Sequence, residues 1–196
     1  MSEQEAGLRA RLVTVGVELL ATRGVQALSL REIARAAGVS HGAPRRYFPT
    51  HASLLSAIAR QGFTDLAEQA EQAVGGSAAD PRARLMALGR AYLAFAAEHS
   101  GMFELMFRHD LLENSGLGLR ETSLPLFDAL VGLVAEARPA SAAGPGARIV
   151  AGALWANLHG IAQLWGWGSL RLASGADDVD ALLAAALDAH LGPAAP

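Results

Sequence analysis

An all-α fold of about nine helices is what this sequence predicts. Apolar residues recur at helical spacing along nearly the whole chain, and glycine and proline punctuate the intervals. No stretch alternates with the period of two that a half-buried strand requires. A chain of 196 residues is long enough to bury a real core. The absence of Cys excludes a disulfide scaffold, a thiolate nucleophile and a Cys-type zinc site. The start, Met1-Ser2-Glu3-Gln4-Glu5, is polar and acidic without the basic region and apolar run of a secretory signal, so a cytoplasmic location is expected.

The first helix carries Leu8, Leu12, Val15 and Leu19 on one stripe and stops before Gly24. Ser29-Leu30-Arg31-Glu32 has the form of a capping box, with the Ser29 hydroxyl accepting from the Glu32 amide and the Glu32 carboxylate returning to the cap. A second helix therefore starts at about Leu30 and runs only to Ala37, because Gly38-Val39-Ser40 supplies a sharp turn and a fresh N-cap. The third is expected from near His41 to Phe48-Pro49, with Pro44 close to its first turn.

Thr50 caps a long fourth helix through Leu54, Leu55, Ile58 and Leu66 towards Val74, and Gly75-Gly76-Ser77 breaks it. Asp80-Pro81 restarts the chain into a fifth helix with Leu85, Leu88, Tyr92 and Phe95, ending at His99-Ser100-Gly101. A short apolar segment, Met102 to Phe107, precedes a polar stretch at Asn114 to Gly116. A helix from about Leu119 to Ala137 buries Leu126, Leu130, Val131 and Val134, and Pro139 to Gly146 forms a loop. Two last helices complete the chain, roughly Ala147 to Leu170 and Val179 to Leu191.

Charge is divided unevenly along this frame. The formal net charge is -3, yet residues 1 to 60 hold eight Arg against four acidic residues, whereas the rest hold eight Arg against fifteen. A basic first third on an acidic remainder suggests that one part faces a polyanion. All sixteen basic residues are Arg, a bias better explained by GC-rich coding than by function.

Two short helices joined by Gly-Val-Ser make a helix-turn-helix, whose later helix can lie in a DNA major groove. Ser40, His41, Gly42 and Ala43 are small or hydrogen-bonding groups suited to close approach. Arg45, Arg46 and Tyr47 supply donors for guanine edges or phosphate. A helical hairpin with a solvated basic tip is the plainer account of the same residues.

The runs Leu30-Arg31-Glu32-Ile33-Ala34 and Ala37-Gly38-Val39-Ser40, then Gly42 and Tyr47-Phe48, resemble the N-terminal domain of TetR-type regulators, without gaps from about Leu12 to Phe63. His41-Gly42-Ala43-Pro44, with Trp155 and His159-Gly160 downstream, resembles the subgroup with a Trp-His-Gly type C-terminal domain. The resemblance implies a DNA-binding domain at 1–50 and a helical effector-binding and dimerisation domain at 51–196. It implies a transcriptional regulator and not an enzyme: a homodimer on double-stranded operator DNA, released as a repressor by a small hydrophobic effector. By similarity Ser29, Arg31 and residues Ser40 to Tyr47 contact DNA. Arg45 stands where the family usually has an aromatic residue and His51 where it usually has Lys, both at positions that touch the backbone in relatives.

On the helices that surround the effector in relatives, Phe95, Met102, Phe103 and Met106 are expected to line the site, with Phe127, Trp155 and His159. From Ile149 to Leu170 there are 22 residues without a formal charge, enough to span a bilayer. Asn157, His159, Gln163 and the glycines argue instead for a buried helix packed on a partner, so the last two helices are expected to form the dimer interface, with no membrane involved. No cofactor and no metal are expected. The rival readings are a helical interaction module without DNA binding and a metal-dependent enzyme or sensor built on His99, Glu104, His109 and Asp110.

Overall fold

The computed structural model describes residues 3–76, 80–112, 118–138 and 144–193. Among these residues the chain is helical, without strands, and holds ten α-helices where about nine were expected. They are α1 (Glu3–Arg23), α2 (Leu30–Ala36), α3 (His51–Gly75), α4 (Pro81–Glu98), α5 (Ser100–Met106), α6 (His109–Leu112), α7 (Arg120–Ala137), α8 (Ala147–Gly166), α9 (Ser169–Ser174) and α10 (Val179–Leu191). Two compact units share them, residues 1–65 with 99–122, and residues 66–98 with 123–196. The Asn114 to Gly116 stretch, Ser77 and most of the expected Pro139 to Gly146 loop lie outside the described residues.

In the first unit α1 buries Leu12, Leu19 and Leu20, and Ile33 of α2 and Leu54 and Ile58 of α3 are buried as well. Gly16 lets α1 approach α3 closely, since a Cβ there would collide with the Ile58 side chain. Gly62 does the same for α3 and α5, where a Cβ would lie 2.5 Å from Met102 Cγ. Ser29 caps α2 as its spacing predicts, its hydroxyl accepting from the Glu32 amide at 3.1 Å. The return half of the capping box does not form. The Glu32 carboxylate pairs with Arg35 at 2.8 Å and reaches Arg23 at 3.6 Å, because two guanidiniums within reach compete better than one amide. That contact with Arg35 also holds the Glu32 carboxyl below the usual carboxylate range.

The turn after α2 is a Schellman motif. Gly38 adopts φ +64°, its amide donates to Arg35 O at 3.1 Å, and the Val39 amide donates to Ala34 O at 3.0 Å. The expected third helix is shortened by Pro44. Beyond Ser40 the chain makes a tight turn and then a single 3-10 turn at Pro44–Arg46. Proline has no amide to give Ser40, and the hydrogen bonds here run mostly three residues back: Ala43 to Ser40, Arg46 to Ala43, Tyr47 to Pro44. At α3 the Thr50 hydroxyl accepts from the Ser53 amide at 3.0 Å, and Ser53 Oγ accepts from the Thr50 amide at 3.2 Å.

In the second unit α4, α7, α8 and α10 enclose an aliphatic core of Leu85, Leu130, Val134, Leu154, Leu158 and Leu183. Gly89 is the contact point of α4 with α10, since a Cβ there would stand 2.6 Å from Leu183 Cδ1. Asp178 caps α10 through the Ala181 amide at 3.0 Å. The segment expected as one helix from Ala147 to Leu170 ends early, at Gly166. Gly168 takes φ +76° and the short α9 begins after it. No helix among the described residues is long and apolar enough to cross a membrane.

Candidate nucleic-acid interface and aromatic cluster

The turn at residues 40–48 in the first unit is a polar cap on an apolar anchor. Pro44 and Phe48 are buried, Phe48 to 1% exposure, while Ser40, His41, Gly42, Arg45 and Arg46 are exposed or nearly so and Ala43 and Tyr47 are half-buried. The anchor fixes the turn, and the turn directs two guanidiniums away from the core. Behind it, the Arg9 guanidinium sits over the Phe48 ring, 5.3 Å from its centroid. Ser29 and Arg31 are exposed at the start of α2. Capping uses only a lone pair of the Ser29 oxygen, so its proton remains available to an acceptor such as phosphate.

His51 is exposed, but its Nε2 is engaged with the Leu28 carbonyl. A carbonyl only accepts, so Nε2 carries the proton of that bond and the ring ties the start of α3 to the segment before α2. The sequence offered no sign of this contact across 23 residues.

The seven residues expected around an effector fall in both units. Met102, Phe103 and Met106 are buried in the first, where Phe103 and Phe63 each meet the Phe107 ring edge-on at 5.0 and 5.8 Å. Phe95, Phe127, Trp155 and His159 belong to the second, with Phe95 buried to 1%. The structure joins three of these four to a residue that sequence reasoning places only on a helix stripe, Tyr92. Phe127 and Trp155 pack edge-on at 6.1 Å, and Trp155 and His159 lie 6.3 Å apart. The Trp155 indole N–H donates to the Tyr92 oxygen at 3.2 Å, and that hydroxyl lies 2.9 Å from His159 Nδ1.

With the Trp155 N–H as donor, the phenol's own proton satisfies Nδ1, which places the imidazole proton on Nε2. Burial lowers the His159 pKa from its ordinary value and raises that of Tyr92, so both are neutral near pH 7. A tyrosine in an alanine-rich helix and a histidine 67 residues later carry no spacing signal. Only the fold brings them together.

Arg108 draws in the carboxylates of Glu104 and Asp110, at 3.3 and 2.8 Å, so the acidic members of the candidate metal set face a guanidinium. Among the described residues no three His, Asp or Glu side chains are grouped as metal ligands.

Two family models match the chain: residues 12–58 match bacterial regulatory proteins of the tetR family, and residues 85–190 match the tetracyclin repressor-like C-terminal domain. The HTH-type transcriptional repressor KstR2 of Rhodococcus jostii is 34% identical over 99 residues, which is 50% of this chain and 48% of that one. The match thus spans about half the length of the curated relative. A protein of unknown function from a Rhodococcus species is 37% identical, with 94% of this chain and 93% of that chain superposed at a TM-score of 0.78. The regulator FadR of Bacillus subtilis, solved with stearoyl-CoA, shares the fold at 17% identity and a TM-score of 0.66 over 95% of this chain and 99% of its own. The chain belongs to the TetR family of bacterial regulatory proteins.

Proposed function

We propose that this chain is a cytoplasmic, homodimeric transcriptional repressor that reads operator DNA with residues 40–47 and yields it when a small hydrophobic effector binds. The division of labour is a DNA-binding domain at 1–50 and an effector and dimerisation domain at 51–196. One observation carries the reading: Arg45 and Arg46 stand exposed on a turn whose Pro44 and Phe48 are buried. Ser29 and Arg31 flank it as backbone contacts, with Ser40, His41, Gly42, Ala43 and Tyr47 closing on the groove. His51 contributes less than the Lys usual at its position in relatives, because its Nε2 is given to Leu28.

Dimerisation through α8 and α10 is supported by what those helices leave uncovered. Ile149, Ala153, Ala156 and Leu164 form an exposed stripe on α8, with Ile149 66% exposed, and Ala181 and Ala185 are exposed on α10. A monomer rarely leaves such a face to water. We read Trp155, His159 and Gly160 as pointing to the subgroup with a Trp-His-Gly type C-terminal domain, and we assign effector contacts in the second unit to Phe95 and the Phe127, Trp155 and His159 cluster and, in the first unit taken by itself, to Met102, Phe103 and Met106. FadR's stearoyl-CoA illustrates one kind of ligand whose apolar part such a site would suit: a long acyl chain carried on a large charged head group.

Selection of bound duplexes from a random pool tests the reading. A near-palindromic consensus is expected, with log affinity falling linearly as log salt rises. A pool that yields no consensus, or affinity indifferent to salt, would leave a helical interaction module as the better account.

A further inference from the structure

We propose that the cleft between α1 and α3 in the first unit binds a small phosphate-class anion between Arg9 and Arg60. The cleft has a volume of about 300 Å³ and is open to solvent along one side. Its polar lining is Arg9 and Thr14 from α1 with Arg60, Gln61 and Thr64 from α3, and it contains no carboxylate. Among the described residues neither guanidinium forms an ion pair, in a protein whose other arginines include seven that do.

Arg60 supplies the sharpest observation. Its Nε is buried with no hydrogen-bond partner, an arrangement that a native structure retains only for a reason. Thr14 and Thr64 give their hydroxyl protons to the Ala10 and Arg60 carbonyls at 3.2 and 3.1 Å, Gln61 gives its amide to Asp65 at 2.7 Å, and none of their oxygens accepts from Arg60 Nε. What the cleft lacks is an acceptor with negative charge, and two guanidiniums on facing helices are the donors that would hold one.

Arg9 is the mobile half of this clamp. It rests on the Phe48 ring, a contact weaker than a charge-assisted hydrogen bond, so an anion can draw it from the ring. Phe48 anchors the reading turn, and the anion would therefore act on the position of that turn. A phosphate could arrive free in solution or as part of a duplex backbone. The size of the cleft favours the free anion, since a stiff duplex cannot enter a volume of about 300 Å³.

The test titrates inorganic phosphate, then pyrophosphate, into the full chain by calorimetry, with chloride holding ionic strength constant and no DNA present. Saturable binding of one anion per chain is expected, weakened at least about tenfold in R60M and in R9M and unchanged in R171Q, which lies on α9. Far-UV circular dichroism confirms that each variant is folded, and R9M decides if R60M is not. No saturable heat in the folded wild type, or wild-type binding by R9M and R60M, overturns the proposal. So does a loss of DNA affinity and of salt slope in R60M without any phosphate binding, which would make Arg60 a backbone contact. Phosphate binding in a protein for which selection finds no operator would keep this site and remove the regulator reading.

Discussion

Replacing Tyr92 with Phe removes one oxygen and leaves the ring, so it isolates the hydrogen-bonded chain from Trp155 through Tyr92 to His159. Two bonds are lost, at 3.2 and 2.9 Å, and their costs differ. Trp155 is 39% exposed and its N–H can turn to water, a loss of about 0.5 kcal/mol. His159 Nδ1 is half-buried and is left without its donor, which costs about 1 kcal/mol more. Y92F is therefore expected to destabilise the protein by about 1–2 kcal/mol, moving the urea midpoint down by roughly 0.5–1 M if the slope is about 2 kcal/mol/M. The measurement is urea unfolding at pH 7.5, wild type and variant at one protein concentration because dimerisation would add to stability. A midpoint equal to or above that of the wild type would refute the chain of hydrogen bonds, and with it the tautomer assigned to His159.

Other outcomes rest on the same geometry. His159 has its pKa lowered by burial, so the unfolded state binds the proton first; stability should be level above about pH 7 and fall as pH drops below about 6.5, and H159Q should flatten that fall in a pH series of denaturation midpoints. G38A places a side chain at φ +64° with only the Arg11 guanidinium at 3.6 Å nearby, so backbone strain alone should cost about 1–2 kcal/mol in thermal unfolding and weaken operator binding through a displaced turn. R45Q with R46Q should leave the midpoint of unfolding unchanged while lowering the slope of log affinity against log salt by about 2 if both reach phosphates; an unchanged slope would assign them to bases or to solvent.

Much of this fold could be read from local chemistry, and the places where it could not have a common cause. Ser29, Gly38 and Asp80 announce helix ends because capping is decided within four residues, and each does in the structure what its sequence position suggests. Glu32 fails to return to its cap because its carboxylate is taken by Arg35 and, from another helix, reached by Arg23. Gly168 reads as an interior residue of a long apolar helix, yet its left-handed conformation ends α8 and exposes Trp167 to 73%. The candidate site divides the same way. Arg45 and Arg46 were legible because a basic turn is a local pattern, whereas Tyr92, Arg9 and the His51 contact with Leu28 depend on which helices pack together.

The loss of a regular third helix is the departure that bears most on function, and Pro44 explains both its cause and its use. A recognition helix of ordinary length places side chains every 100° around an axis, so only those on its outward face reach the bases. Here the missing amide of Pro44 tightens the backbone into a 3-10 turn, in which successive side chains stand about 120° apart and residues three apart eclipse, so Pro44 and Tyr47 share the inward side. Burying the Pro44 ring then turns Arg45 and Arg46 outward together, with Tyr47 at their edge and Phe48 locked below. Two adjacent arginines on a rigid turn form a compact, strongly positive tip rather than an extended reading surface. Such a tip suits dense phosphate or guanine contacts over few base pairs, so, if the proposed reading holds, selected duplexes should show sequence discrimination concentrated at about two or three positions under Arg45 and Arg46.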